Sequence, residues 1–206
     1  MTAFAVFFFS FMADPQAPPR IPMPPTDPDM GDVRFGTTVT ANSTDFEGKI
    51  YFLEEGTQWI PNFKKMKSIG TVYTPQIYVP QQKFNEGFPG ITDRFEWFGI
   101  EYTGKFWVER GGKYLFALIS DDGSKLYIDG KEKIDNDGVH GAKGLAAEVK
   151  LKPGMHDIRV TYFQGPRDQL ALILLVSEAA KMDELRIFRM RDFKRPAGNL
   201  PSAKPN

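Results

Sequence analysis

Two adjacent carboxylates, Asp121 and Asp122, are followed at once by Gly123 and stand at the end of an apolar run from Tyr114 to Ile119. A near-continuous apolar run reads as a strand covered on both faces, so the pair falls where a strand stops and backbone carbonyls come free. Such surroundings suit a hard cation, which wants oxygen ligands. The same residues also read as a polar turn in which aspartate caps backbone amides, and for the dipeptide alone that is the more ordinary reading. Asp135-Asn136-Asp137-Gly138 forms a second acidic cluster. An EF-hand loop needs oxygen ligands at its first, third and fifth positions and glycine at the sixth. Gly138 and Val139 break that register, so this cluster reads as a solvated connection. His140 follows it, and His156, just before a strand, reads as structural.

No catalytic signature accompanies these residues. The chain has no Gly-x-Ser-x-Gly elbow, no phosphate-binding loop and no His-Glu-x-x-His. Its lack of cysteine removes disulfides, thiol nucleophiles and zinc-thiolate sites. Lys plus Arg and Asp plus Glu each number 26, so the formal net charge is +0 and there is no electrostatic reason to expect nucleic-acid binding. With 206 residues, 41% of them hydrophobic, the chain is long enough for one sizeable core with arms.

The elements that must position the acidic pair are short strands. Leu126-Tyr127-Ile128 starts a new strand after the pair, and Asp129-Gly130 is a dipeptide favoured in type I′ hairpins, where both central residues need positive φ. Upstream, 49–53 and 69–78 read as strands, 57–67 is ambiguous, and 87–90 is a loop. Aromatic and polar residues alternate in 95–102 and again in 105–109, which predicts a hairpin turning at Thr103-Gly104. Downstream, 146–151 and 157–163 alternate around Pro153-Gly154, and the apolar run 170–176 must be a buried strand. Strands at this spacing predict an all-β fold, an antiparallel β-sandwich of jelly-roll-like form. Its expected extent is 33–178. A basic C-terminal extension, 179–206, follows, in which 179–195 holds a short helix or a last strand.

The N-terminal stretch, 1–14, is apolar, with Phe7, Phe8, Phe9 and Phe11 as its largest side chains. It is shorter than the roughly 20 residues a membrane-spanning helix needs. It reads either as the apolar part of a signal peptide or as a retained anchor that buries its aromatics in a partner or, through 3–13, in the membrane interface. The spacer 15–32 is rich in proline and predicts an extended, stiff connection.

The runs Gly112-Lys113-Tyr114-Leu115-Phe116, Ser120 to Lys131 and Ile134 to Gly138, with His140, Leu151, Gly154, His156, Ile158 and Tyr162-Phe163-Gln164-Gly165, recur in one order. This pattern resembles the protective-antigen-type domain of bacterial toxins, glycosidases and fungal flocculin-type adhesins. The resemblance implies a β-sandwich. From its adhesin branch it implies a calcium ion chelated by Asp121 and Asp122, joined by a cis peptide. A third ligand would come from the loop after the Tyr162-Phe163 strand, here Gln164, with Asp168 also on offer. Asp137, His140, Arg167 and Asp168 would then lie on the ligand side. This chain departs from the family's glycine-rich pattern in Gly165-Pro166-Arg167-Asp168-Gln169. The expectation is a non-catalytic, extracytoplasmic module binding envelope or matrix glycans with calcium. The alternative is a structural subunit docked to a membrane protein complex through its N-terminal arm.

Overall fold

The computed structural model of the chain describes Ile21, Ala41 and residues 44–91 and 94–195. The aromatic stretch with Phe7, Phe8, Phe9 and Phe11 and the tail after Arg195 lie outside the described residues. The described chain is all-β, and its helical structure is confined to short 3₁₀ turns. In chain order the strands are β1 (Phe46–Phe52), β2 (Gly70–Thr74), β3 (Tyr78–Lys83), β4 (Phe98–Val108), β5 (Gly112–Asp121) and β6 (Ser124–Ile128). They continue with β7 (Lys131–Asn136), β8 (Lys143–Leu151), β9 (Gly154–Gln164), β10 (Gln169–Ser177) and β11 (Arg186–Ile187).

Two antiparallel sheets form the sandwich. One has the order β2-β1-β4-β9-β6-β7. The other runs β8-β5-β10, with β3 and β11 both paired to the remaining edge of β10. Between the sheets, Phe98, Ile100 and Phe106 of β4 and Ile158, Val160 and Tyr162 of β9 pack against Phe116 and Leu118 of β5 and Leu170, Leu172 and Leu174 of β10. The unbroken apolar run of β10 has a simple cause. Its other face carries Ile173 and Leu175, which pack with Tyr78, Ala117, Ile119 and Ile187 under partly buried Ile21 and Leu185. Each such side chain removed from water contributes roughly 1.5–3 kcal/mol before ordering costs.

The structure redraws three sequence expectations. Thr103-Gly104 is no hairpin turn, because β4 runs straight through it, pairing Thr103 with Arg159 and Gly104 with Ile158 in unbroken register. Glycine is needed there for close packing: a Cβ would sit 3.0 Å from Met190 Cε and 3.3 Å from Phe46 Cδ1. The stretch 69–78 is two strands in different sheets, split after Thr74 at Pro75, which has no N–H to donate. The basic stretch from 179 is more than a peripheral extension: its last-strand reading holds at β11, and it sends Ile187, Phe188, Met190 and Phe193 into the interior. Ile187 pairs with Leu175, and Phe188 and Phe193 stack at 4.8 Å within the main core. By contrast, Asp129 and Gly130 take φ of 50° and 74°, as the type I′ reading requires.

Candidate metal and ligand site

The chain passes from one sheet to the other at Asp121-Asp122-Gly123, between β5 and β6. It also changes sheets between β7 and β8, through 137–142, and between β9 and β10, through 165–168. All of these crossovers meet at one end of the sandwich, and backbone hydrogen bonds bind them together. Asp122 Oδ2 accepts from the N–H of Gly165 at 2.7 Å, and Asp122 Oδ1 accepts from the N–H of His140 at 3.0 Å. The Asp121–Asp122 peptide is cis. Gly123 leaves no room for a side chain, since a Cβ would lie 2.5 Å from Phe163 Cε1 and 2.8 Å from the Gly138 nitrogen.

Beneath the pair lies a buried polar layer. The Tyr162 hydroxyl donates to the Asp121 carbonyl at 2.7 Å and also lies against Gln164 Oε1. Gln164 is fully buried, and its Nε2 donates to the Gln169 carbonyl at 3.0 Å and to Asp122 Oδ2 at 3.3 Å. Ser120 and Ser124 share a hydrogen bond of 2.6 Å, and Asn136 Nδ2 donates to Ser120 Oγ and to the Lys143 carbonyl, each at 3.0 Å.

Both carboxylates are almost out of solvent, at 6% and 4% exposed. Among the described residues no Lys or Arg forms an ion pair with either. Burial, reinforced by the Asp122 charge, pushes Asp121 up to about 7, against the opposing pull of His140 and the Ala142 N–H. Burial also raises Asp122, while the N–H groups of Gly165 and His140 hold it back. Asp168 raises both through its own charge. Two buried carboxylates with a third acid nearby and no Lys or Arg paired to them among the described residues leave an excess of negative charge, the setting a hard cation prefers.

The expected ligands divide on this geometry. Asp121 and Asp122 are brought together beside His140 with no Lys or Arg paired to them among the described residues, and Asp168 is an exposed acid within electrostatic reach. Gln164 turns its oxygen to Tyr162 and its nitrogen to Asp122, so in this arrangement it orients the pair. Among the described residues no group of three or more acidic or histidine side chains is close enough to hold a metal alone. Further ligands must then be backbone carbonyls, water or hydroxyls of a bound molecule.

Of the residues expected on the ligand side, Asp137 is half tied down. Its Oδ1 accepts from the N–H groups of Ile60 and Gly138 at 2.9 and 2.8 Å, and its Oδ2 lies 3.4 Å from Lys125 Nζ. His140 sits beside the pair, with ring nitrogens 2.9 Å from the Gly141 carbonyl and 3.0 Å from that of Asn136. Arg167 turns away, its Nε bonded to Glu96 Oε1 at 2.7 Å. The 135–138 cluster is not simply solvated, because β7 turns Asn136 inward, where it is fully buried. His156 is structural as expected: Asp129 Oδ2 lies 2.7 Å from its Nδ1, and its ring packs on Phe106. Both carboxylates accept from backbone amides, as the polar-turn reading expects, but no side-chain motif announces that the donors are Gly165 and His140 for Asp122 and Ala142 for Asp121.

Compared with known proteins, residues 75–184 match the family model for the PA14 domain, the protective-antigen-type domain. The chain belongs to the PA14 family. A relative is the anti-sigma-I factor RsgI3 of Acetivibrio thermocellus, 26% identical over 48% of this chain, which spans only 16% of that protein. Among solved structures, the PA14 sugar-binding domain from an RTX adhesin aligns with a TM-score of 0.57 at 18% identity, covering 71% of this chain and 96% of its own. The PA14 domain of the MpAFP antifreeze protein aligns with a TM-score of 0.59 at 18% identity, covering 73% and 90%. At such identities the structural matches speak for the PA14 fold. No helix among the described residues is long and apolar enough to cross a membrane.

Proposed function

We propose that this PA14 chain is a non-catalytic binding module that takes glycans through a calcium ion held by Asp121 and Asp122. The observation that carries the reading is the buried, adjacent acid pair that no Lys or Arg pairs with among the described residues, so that most of its charge is left to be balanced from outside. Calcium supplies the missing charge and open coordination positions for vicinal hydroxyls. The chain's own residues do the rest. Gly165 and His140 fix the Asp122 carboxylate through their N–H groups, Gln164 and Tyr162 orient the turn from below, and Asp168 adds negative charge at the rim. The sugar-binding role of the RTX adhesin's PA14 domain supports this reading. Calcium dependence suits an extracytoplasmic setting, since weak calcium sites, with Kd of about 10⁻⁴–10⁻³ M, are those of extracellular modules.

Titration calorimetry with calcium, followed by an immobilised glycan array with calcium or with chelator, tests the proposal. Calcium uptake abolished by Asp122→Asn and array binding lost in chelator are expected. A protein that takes up no calcium and binds glycans equally in chelator overturns it.

A further inference from the structure

Beside the acid pair lies a cleft of about 320 Å³ on the outer face of the six-stranded sheet, within the ~300–1,000 Å³ typical of small-ligand sites. Its floor is a row of outward side chains on neighbouring strands: Glu101 and Lys125 both stand opposite Thr161, and Tyr127 stands opposite Arg159. The segment Ile60 to Lys64 forms its wall. That wall is pinned to the sheet by Phe63, which stacks on Tyr51 at 4.5 Å, and by the Asp137 carboxylate that accepts from the Ile60 N–H.

The chemistry of the cleft is balanced. Arg159 lies over the Tyr127 ring at 3.6 Å and donates to Glu101 at 3.1 Å, which sets a fixed donor beside a fixed acceptor. Lys125 is surrounded by Asp135, Asp137 and Glu132 at 2.9, 3.4 and 3.7 Å. An anion would have to displace these carboxylates, whereas a neutral polyol can add hydroxyls to the donors and acceptors already in place. The cleft also adjoins the acid pair. The 137–140 loop links the two: Asp137 Oδ2 lies 3.4 Å from Lys125 Nζ, its Oδ1 accepts from the Ile60 N–H, and the His140 N–H binds Asp122. Trp59, next to the wall segment in sequence and 64% exposed, lies with its ring against Gly138 in that same loop. An exposed indole offers a flat apolar face suited to the C–H face of a sugar ring.

We propose that the cleft lined by Lys125, Tyr127, Arg159 and Glu101 is a second subsite for a neutral glycan, which extends from the Asp121–Asp122 pair across Trp59. This rests on the glycan reading of the pair and adds that the ligand is an oligosaccharide longer than its terminal sugar. The test is an array of immobilised neutral glycans graded from mono- to hexasaccharides, with calcium or chelator. It is probed with the wild type, Tyr127→Ala, Trp59→Ala and Asp122→Asn, each first checked for unchanged unfolding temperature. Trp59 is exposed, so its variant folds even where Tyr127→Ala does not. Expected is calcium-dependent binding at least tenfold stronger for the longer members of a series, with that ratio brought within about twofold of one by either aromatic substitution. Calcium-dependent binding with no gain from length, or a gain that both aromatic variants keep, overturns the second subsite and leaves the pair's role standing. Long-glycan binding that survives chelator and Asp122→Asn overturns the role of the pair and the path joined to it. No binding to any glycan overturns both.

Discussion

The N–H of Gly165 points at Oδ2 of Asp122 from 2.7 Å, so the first residue after β9 holds a carboxylate that the chain laid down 43 positions earlier, just after β5. A carboxylate fixed by backbone donors keeps its direction without a cationic side chain, which leaves its charge available to a ligand.

The calcium proposal predicts a stability signature. Anything that binds only the folded state stabilises by mass action, about 2.7 kcal/mol at a hundred times Kd. Millimolar calcium is expected to raise the unfolding temperature of the wild type and to leave that of Asp122→Asn unchanged. Equal melting with calcium and with chelator in the wild type is the result that refutes it.

Without calcium the pH response has a definite sign. Asp121 is raised from its ordinary 3.8 to about 7, so between those values the folded state binds a proton that the unfolded state has lost. Its contribution to stability is therefore fully present below about 4 and is lost as pH rises to about 7. Urea unfolding in chelator should show wild-type stability falling relative to Asp121→Asn across that range. A difference that is flat, or that rises with pH, contradicts the assignment.

Gly123→Ala should disturb the site from within. The added methyl carbon would lie 2.5 Å from Phe163 and 2.9 Å from Asp137 Oδ1, and neither a core ring nor a bonded carboxylate yields easily. Overpacking of this kind costs typically about 1–3 kcal/mol. Chemical denaturation should register that loss, and calcium affinity should fall with it. A variant as stable and as calcium-binding as the wild type would show that the turn is looser than drawn.

Phe188→Ala tests whether the stretch after 178 belongs to the sandwich. Phe188 is fully buried and packs with Phe46, Phe106, Phe116 and Phe193. Removing such a ring costs about 3–5 kcal/mol, and a loss under about 1 kcal/mol in denaturant titration would return the segment to the periphery.

Much of this architecture was legible because its signals are local. The 170–176 run could only be a strand covered on both faces, and Asp129-Gly130 specified its own turn. The Thr103-Gly104 reading failed because a glycine kept small for Met190 and Phe46 looks, in sequence, like one kept for a turn. The basic residues of 181–195 hid Phe188 and Phe193, since charge on the outer side of a segment says nothing about its inner side. At the site, Asp121 and Asp122 were readable as side chains. The role of Gln164 was not, because the direction of an amide is decided by Tyr162, a neighbour two residues away on the same strand.

The crossovers meeting at the acid pair have a mechanical consequence. The links at the opposite end, 109–111 and 152–153, join the same two sheets without reaching the pair. An occupied pair thus works as a clasp on one end of a book whose spine is elsewhere. Amide exchange should slow on ligand binding near Ser120, Ser124, Gln164 and Lys143, in both covers at once, while Gly112 and Gly154 keep their free rates.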